Sequence, residues 1–133
     1  MNLVSIRLIT ADIARLRKFY EQVVNRSAQT YTEDFCEWRT SSAALALGST
    51  RTLQFFGPGI AEPGQNRSAI IEFQVDNVDT EFMRLSALIG PYLVQAPTTM
   101  PWGNRSLLFR DPDGNLVNLF TPVTVAAQVR LGQ

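Results

Sequence analysis

The chain has 133 residues, 45% of them hydrophobic, with twelve Lys plus Arg balanced by twelve Asp plus Glu, one cysteine and no histidine. That size supports one compact domain with a real core, and the sequence shows no basic run or stripe to supply the counterion release that nucleic-acid binding relies on, so no nucleic-acid partner is expected. No stretch approaches the ~18 apolar residues of a membrane span, Arg7 interrupts the only early apolar run, and a lone Cys36 cannot close an internal disulfide, so a soluble, unprocessed, cytoplasmic protein is expected.

Residues 3–9 alternate, with Val4, Ile6 and Leu8 on one face and Ser5, Arg7 and Ile9 on the other, the pattern of a half-buried strand. Thr10 and Asp12 offer helix N-caps, and Ile13, Leu16, Tyr20 and Val23 then recur at helical spacing up to Asn25, which tolerates the left-handed C-terminal position. Three short strands are predicted next, over 28–32, 36–47 (with ends open to shortening) and 52–56. Gly57-Pro58-Gly59 and Pro63-Gly64-Gln65-Asn66 mark a linker over about 58–68.

The order then repeats about 64 residues later, with Asp76 in the place of Asp12. Ile71, Phe73 and Val75 alternate with Glu72 and Gln74, and Val78, Phe82, Leu85 and Ile89 form a helical stripe that stops at Gly90-Pro91. Strands follow over 92–95, 106–110 and 116–120, the last two joined by an Asp111-Pro112-Asp113-Gly114-Asn115 turn. The expected fold is therefore α+β: two βαβββ modules, about 3–57 and 69–122, in a single domain with a curved mixed sheet around a cavity. Residues 123–133 have two open readings, packing at a dimer interface or fraying.

Three segments carry a family resemblance. Asp12 with Phe19-Tyr20, Val75-Asp76-Asn77-Val78-Asp79, and the run Phe109 to Leu119 around Asp-Pro-Asp-Gly-Asn together resemble the vicinal oxygen chelate superfamily, which includes glyoxalases and bleomycin-resistance proteins. The usual Leu-Gly at the end of the first helix is Val24-Asn25 here. Members of that family normally hold a metal with four ligands. The resemblance maps those positions onto Ser5, Gln54, Ile70 and Asn118, a set with no imidazole and no anion. With histidine absent from the whole chain, no metal and no other cofactor is expected.

Alternation about those positions directs Val4, Ile6, Leu8, Ile71, Phe73, Val75, Val117 and Leu119 toward the helices. Ser5, Arg7, Gln54, Glu72, Gln74, Leu116, Asn118 and Phe120 fall on the opposite face. Arg7 and Glu72 there must be hydrated, paired with each other, or used on a ligand, and the sequence leaves these readings open. Pro101-Trp102-Gly103-Asn104-Arg105 and the ending Asn118-Leu119-Phe120-Thr121-Pro122 are similar to segments of metal-free drug-binding resistance proteins in the superfamily, the mitomycin-binding type. That likeness implies a planar ligand between aromatic rings, with Trp102 and Arg105 facing Trp38, Tyr31 and Phe35, in a homodimer; for Trp38 an ordinary core or dimer contact is an equally open reading. Capture of a small planar or amphipathic molecule, in resistance or detoxification, is the leading expectation. The alternative is a divergent glyoxalase-like or other metal-independent enzyme, with Glu72 as base and Arg7 stabilising an oxyanion.

Overall fold

The computed structural model describes residues 1–132 and divides after Asn66 into two compact units. Each unit is a βαβββ module, as expected, followed in the second by a short helix.

In the first module, β1 (Ser5–Thr10) leads into α1 (Ile13–Val24), then β2 (Gln29–Thr32), β3 (Phe35–Arg39) and β4 (Ala44–Ser49). Asp12 caps α1 by accepting from the Arg15 amide at 3.1 Å, and Asn25 closes it at φ 58° in the left-handed region, where asparagine is tolerated. The sheet order is β1-β4-β3-β2, with β1 parallel to β4 and the other pairs antiparallel. Leu16, Phe19, Tyr20 and Val23 of α1 are buried, as are Leu8, Leu45, Leu47, Cys36 and Trp38 of the strands.

The strand expected over 36–47 is two strands joined by a turn. Thr40 makes that turn: its Oγ1 donates to the Ala43 carbonyl at 2.8 Å and accepts from the Ser42 and Ala43 amides, an alternative to continued ladder bonding. The strand expected over 52–56 is instead a 3-10 turn over Thr50–Leu53 followed by further turns. Ser49 caps it by accepting from the Arg51 amide, and Thr52 Oγ1 donates back to the Ser49 carbonyl at 2.7 Å. These local bonds bend the chain away from the sheet.

The second module repeats the plan: β5 (Ile70–Gln74), α2 (Val78–Ile89), β6 (Leu93–Thr99), β7 (Asn104–Arg110) and β8 (Leu116–Pro122), in the order β5-β8-β7-β6. β6 runs four residues past its expected end at Gln95 and contains Pro97, which its edge position permits. Its core joins Val78, Leu85 and Ile89 of α2 to Leu107, Phe109, Val117 and Leu119. The Asp111–Asn115 turn is held by one carboxylate, which accepts from the Asp113 and Asn115 amides at 2.9 Å each and from the Asn115 side chain at 2.8 Å.

The tail after Pro122 forms α3 (Val125–Arg130), capped by Thr124; the expected tail's last residue, Gln133, lies outside the described residues. Gly103, at φ 93°, packs directly under this helix, because a Cβ there would lie 2.1 Å from Thr124 Oγ1 and 3.0 Å from Ala127 Cβ. Among the described residues no helix is long and apolar enough to cross a membrane.

Candidate functional site

Strand alternation gives each sheet one face under its helix and one open face, and the open face of the first sheet gathers the charged and aromatic side chains. Arg7 on β1 stands level with Ala46 on β4, which in turn stands level with Glu37 on β3. The small Ala46 lets the long side chains on either side spread over it. Gly48, two residues on, makes room for the Arg7 stem: a Cβ there would lie 3.2 Å from Arg7 Cδ and 2.8 Å from Thr52 Oγ1.

The Arg7 guanidinium carbon sits 5.8 Å from the ring centre of Phe35 and 5.8 Å from that of Phe56. Each such contact contributes about 0.5–1 kcal/mol at an exposed site. Phe56 reaches this position because its amide donates to the Leu53 carbonyl at 2.9 Å, folding the segment after the 3-10 turn. Tyr31 lies beside Phe35, ring centres 5.8 Å apart, and its hydroxyl donates to Glu37 Oε1 at 2.9 Å. Arg39 completes the row by donating to both Glu37 oxygens at 3.1 and 3.2 Å, which gives this buried carboxylate two donors. The hydrogen bond to Glu37 favours the neutral phenol and holds the Tyr31 pKa above its ordinary value.

Arg7, Tyr31 and Phe35 are thus brought together, with Phe56, Glu37 and Arg39 joining them unforeseen. The pairing of Phe35 with Gly48 and of Glu37 with Ala46 could have indicated the last two only once the register was known. Trp38 is not part of this group. Its neighbours in sequence, Glu37 and Arg39, occupy the open face, so its own ring turns under α1, 6.0 Å from Tyr20, with Nε1 donating to the Arg26 carbonyl at 2.9 Å. It is 1% exposed and packs as a core residue, the second of its two open readings, and not as a surface for stacking. Gln54 likewise leaves the sheet: it ends the 3-10 turn and lines a shallow depression of about 400 Å³ with Thr50, Leu53, Gly57, Pro58, Gly59 and Ala61.

On the open face of the second sheet, Glu72 stands level with Asn118 and accepts from its Nδ2 at 2.9 Å. Asn118 is buried, and its Oδ1 has no hydrogen-bond partner among the described residues. Phe120 is buried beside it, level with Gln74 and Ser106. Arg105 belongs to the other face. Its guanidinium grips Asp79 of α2 through two bonds, 2.8 and 3.0 Å, and reaches Thr99 at 3.3 Å, in a different stretch of sequence and a different sheet from the aromatic group of the first open face. Trp102 is exposed at the turn before β7, with its carbonyl accepting from Arg130 of α3 at 3.3 Å.

A comparison with family profiles matches residues 2–119 to the Glyoxalase/Bleomycin resistance protein/Dioxygenase superfamily. The chain belongs to this superfamily, as the three sequence segments implied. Among solved structures, one described as a glyoxalase/bleomycin resistance protein/dioxygenase family enzyme from Burkholderia phytofirmans is similar with TM-score 0.79 at 18% identity, over 92% of this chain and 100% of that one. A lactoylglutathione lyase from Agrobacterium tumefaciens gives TM-score 0.67 at 21% identity, over 90% and 92%. A virulence protein from Salmonella typhimurium gives 0.71 at 25% identity, over 92% and 98%. No curated protein matches the sequence.

The superfamily's metal finds a poor donor set here. Ile70 has no donor atom, Gln54 has left the strand frame, and the Asn118 amide is bonded to Glu72. Ser5 adds a neutral hydroxyl, so the four positions do not fit a divalent transition metal.

Proposed function

We propose that this protein captures a small planar molecule on the open face of its first sheet, without a metal, and acts by sequestration in resistance or detoxification. The observation that carries the reading is the aromatic group of Tyr31, Phe35 and Phe56 assembled around Arg7 on a sheet face not covered by its own helix. Tyr31 and Phe56 are 58% and 62% exposed, so rings sit at the surface where a flat guest would stack on them. Superfamily membership supports small-molecule binding in general, and the lactoylglutathione lyase neighbour, at its level of identity, supports the fold alone. Within the second module, taken by itself, Asn118, Phe120 and Trp102 remain candidate ligand contacts, with the Asn118 Oδ1 suited to a donor group. A homodimer is part of the proposal.

Isothermal titration with a panel of phenazine-type and other planar compounds tests capture. At least one is expected to bind in the micromolar range and to lose roughly tenfold in affinity in a Phe35→Ala/Phe56→Ala variant, two stacking contacts being removed. A panel in which nothing binds more tightly than about millimolar, or a double variant that binds unchanged, would refute the reading. Metal analysis of the purified protein is expected to find well under half an equivalent of any transition metal per chain. Sedimentation or light scattering reads the dimer directly.

A further inference from the structure

Arg7 is the cation of the first module's open face that has no anion. Arg39, two residues along β3 from Glu37 and level with Ala44, is bound to Glu37 through both carboxylate oxygens. Arg51 is taken by Asp34, at 2.9 Å from both Nε and Nη2. Arg7 has neither an ion pair nor a hydrogen bond within its module among the described residues, and only the two ring contacts hold it. Aromatic rings engage the π surface of a guanidinium, whereas its five N–H donors lie in the guanidinium plane. The Arg7 donors have no partner within the module among the described residues, and two rings flank the group that carries them. A guanidinium fork with unused donors beside aromatic rings is an arrangement that suits a carboxylate, which accepts two parallel N–H bonds.

The charges of this row fix how much anion the face would take. Two arginines, Arg7 and Arg39, and one carboxylate, Glu37, leave a single positive charge. A monoanion balances it, and a dianion would bring an uncompensated negative charge near Glu37.

We propose that Arg7 selects the guest: the planar molecule captured on this face is an aromatic carboxylate, its ring system beside Phe35, Phe56 and Tyr31 and its carboxylate on the Arg7 fork. This inference rests on the capture reading above and adds the chemical class of the ligand. Arg7 is the residue that sets specificity, and the rings supply affinity for flat molecules in general.

The test uses the full chain and three matched probes: 2-naphthoate, 2-naphthamide, which has the same ring without the charge, and 2-naphthyl phosphate, the dianion. Titration calorimetry on the wild type is expected to give naphthoate an advantage over the amide of roughly tenfold or more, the increment of a charge-assisted bond. Naphthyl phosphate is expected to bind no more tightly than naphthoate. In Arg7→Gln the naphthoate affinity should fall to that of the amide, while amide binding moves by less than about twofold, which also shows that the ring site is still folded. Raising the salt concentration should erode the naphthoate advantage and leave the amide unaffected. Equal binding of naphthoate and amide to the wild type, or an undiminished naphthoate preference in Arg7→Gln, overturns the Arg7 assignment and leaves capture standing. Tighter binding of the phosphate by tenfold overturns the monoanion class. Failure of all three probes to bind the wild type overturns the inference together with the capture reading.

Discussion

The seating of the C-terminal helix against Gly103 can be measured through one methyl group. In Gly103→Ala the added Cβ would lie 2.1 Å from Thr124 Oγ1 and 3.0 Å from Ala127 Cβ, at a backbone φ of 93°. A side chain in that backbone region costs about 1–2 kcal/mol. Thr124 must rotate or move away, and its bond from the Ala127 amide, at 3.2 Å, is then lost, which costs about 1 kcal/mol more. Ala127 is fully buried, so lifting α3 also exposes apolar surface. The total is about 3 kcal/mol, and for a chain of this length each kcal/mol lowers the melting temperature by roughly 3–4 °C, so a loss of about 10 °C is expected. Thermal unfolding followed by circular dichroism reads it directly. Adding Thr124→Ala to Gly103→Ala should recover part of the loss, since the nearest clashing atom is gone while the backbone cost remains. A Gly103→Ala protein that melts within about 2 °C of the wild type would show that the helix does not rest on this glycine, and the packing of α3 described above would be wrong.

Three further outcomes follow from other contacts. Trp38→Phe should cost about 2 kcal/mol in urea unfolding, because the Arg26 carbonyl loses its donor and the core loses volume, yet leave naphthoate affinity within about twofold, as expected of a core residue. Gly48→Ala presses on Arg7 Cδ and Thr52 Oγ1 and should cost about 1–2 kcal/mol by overpacking; a few-fold loss of naphthoate affinity in the same protein would show that the floor positions Arg7, and unchanged affinity would show that it does not. The Arg105 fork holds the Asp79 carboxyl below its ordinary value of 3.8. A lowered pKa stabilises the fold above that ordinary value, and the contribution disappears as pH falls through the lowered one. The stability difference between wild type and Asp79→Asn should therefore be present at pH 6 and shrink by about pH 3; an unchanged difference at both would deny the Asp79–Arg105 pair an energetic role.

Much of the fold was legible because its signals are local. Asp12 and Asn25 bracket α1, Asn77 caps α2 with a bond to the Thr80 amide, and Asp111 organises its turn, each within a few residues of sequence. Where local chemistry competes with alternation, the reading failed. Thr40 looks like a strand residue until its hydroxyl is seen bonding the neighbouring backbone, and the strand expected across 36–47 breaks there; the bonds of Ser49 and Thr52 turn the chain where a strand was expected over 52–56. The site was less legible because face assignment depends on register. Trp38 and Arg105 each lie one residue from an open-face position, and one residue exchanges core for surface. The Arg7 cluster joins β1, β3 and the segment after the 3-10 turn, and only the pairing of β1 and β3 with β4 brings the first two together.

The strand β3 has a consequence for how such a protein changes over time. Cys36 and Trp38 serve the core while Phe35, Glu37 and Arg39 serve the open face, in strict alternation along five residues. If the open face holds a guest as proposed, stability and recognition are written on different letters of the same short word. On the capture reading, substitutions at Arg7, Tyr31, Phe35 or Phe56 would revise what the surface holds without replacing the buried Leu16, Tyr20 or Trp38. A lineage carrying this module could pass from one guest to another by single exchanges, with the fold intact at each step. A library randomised at those four positions would be expected to yield mostly folded proteins that differ in the molecules they hold.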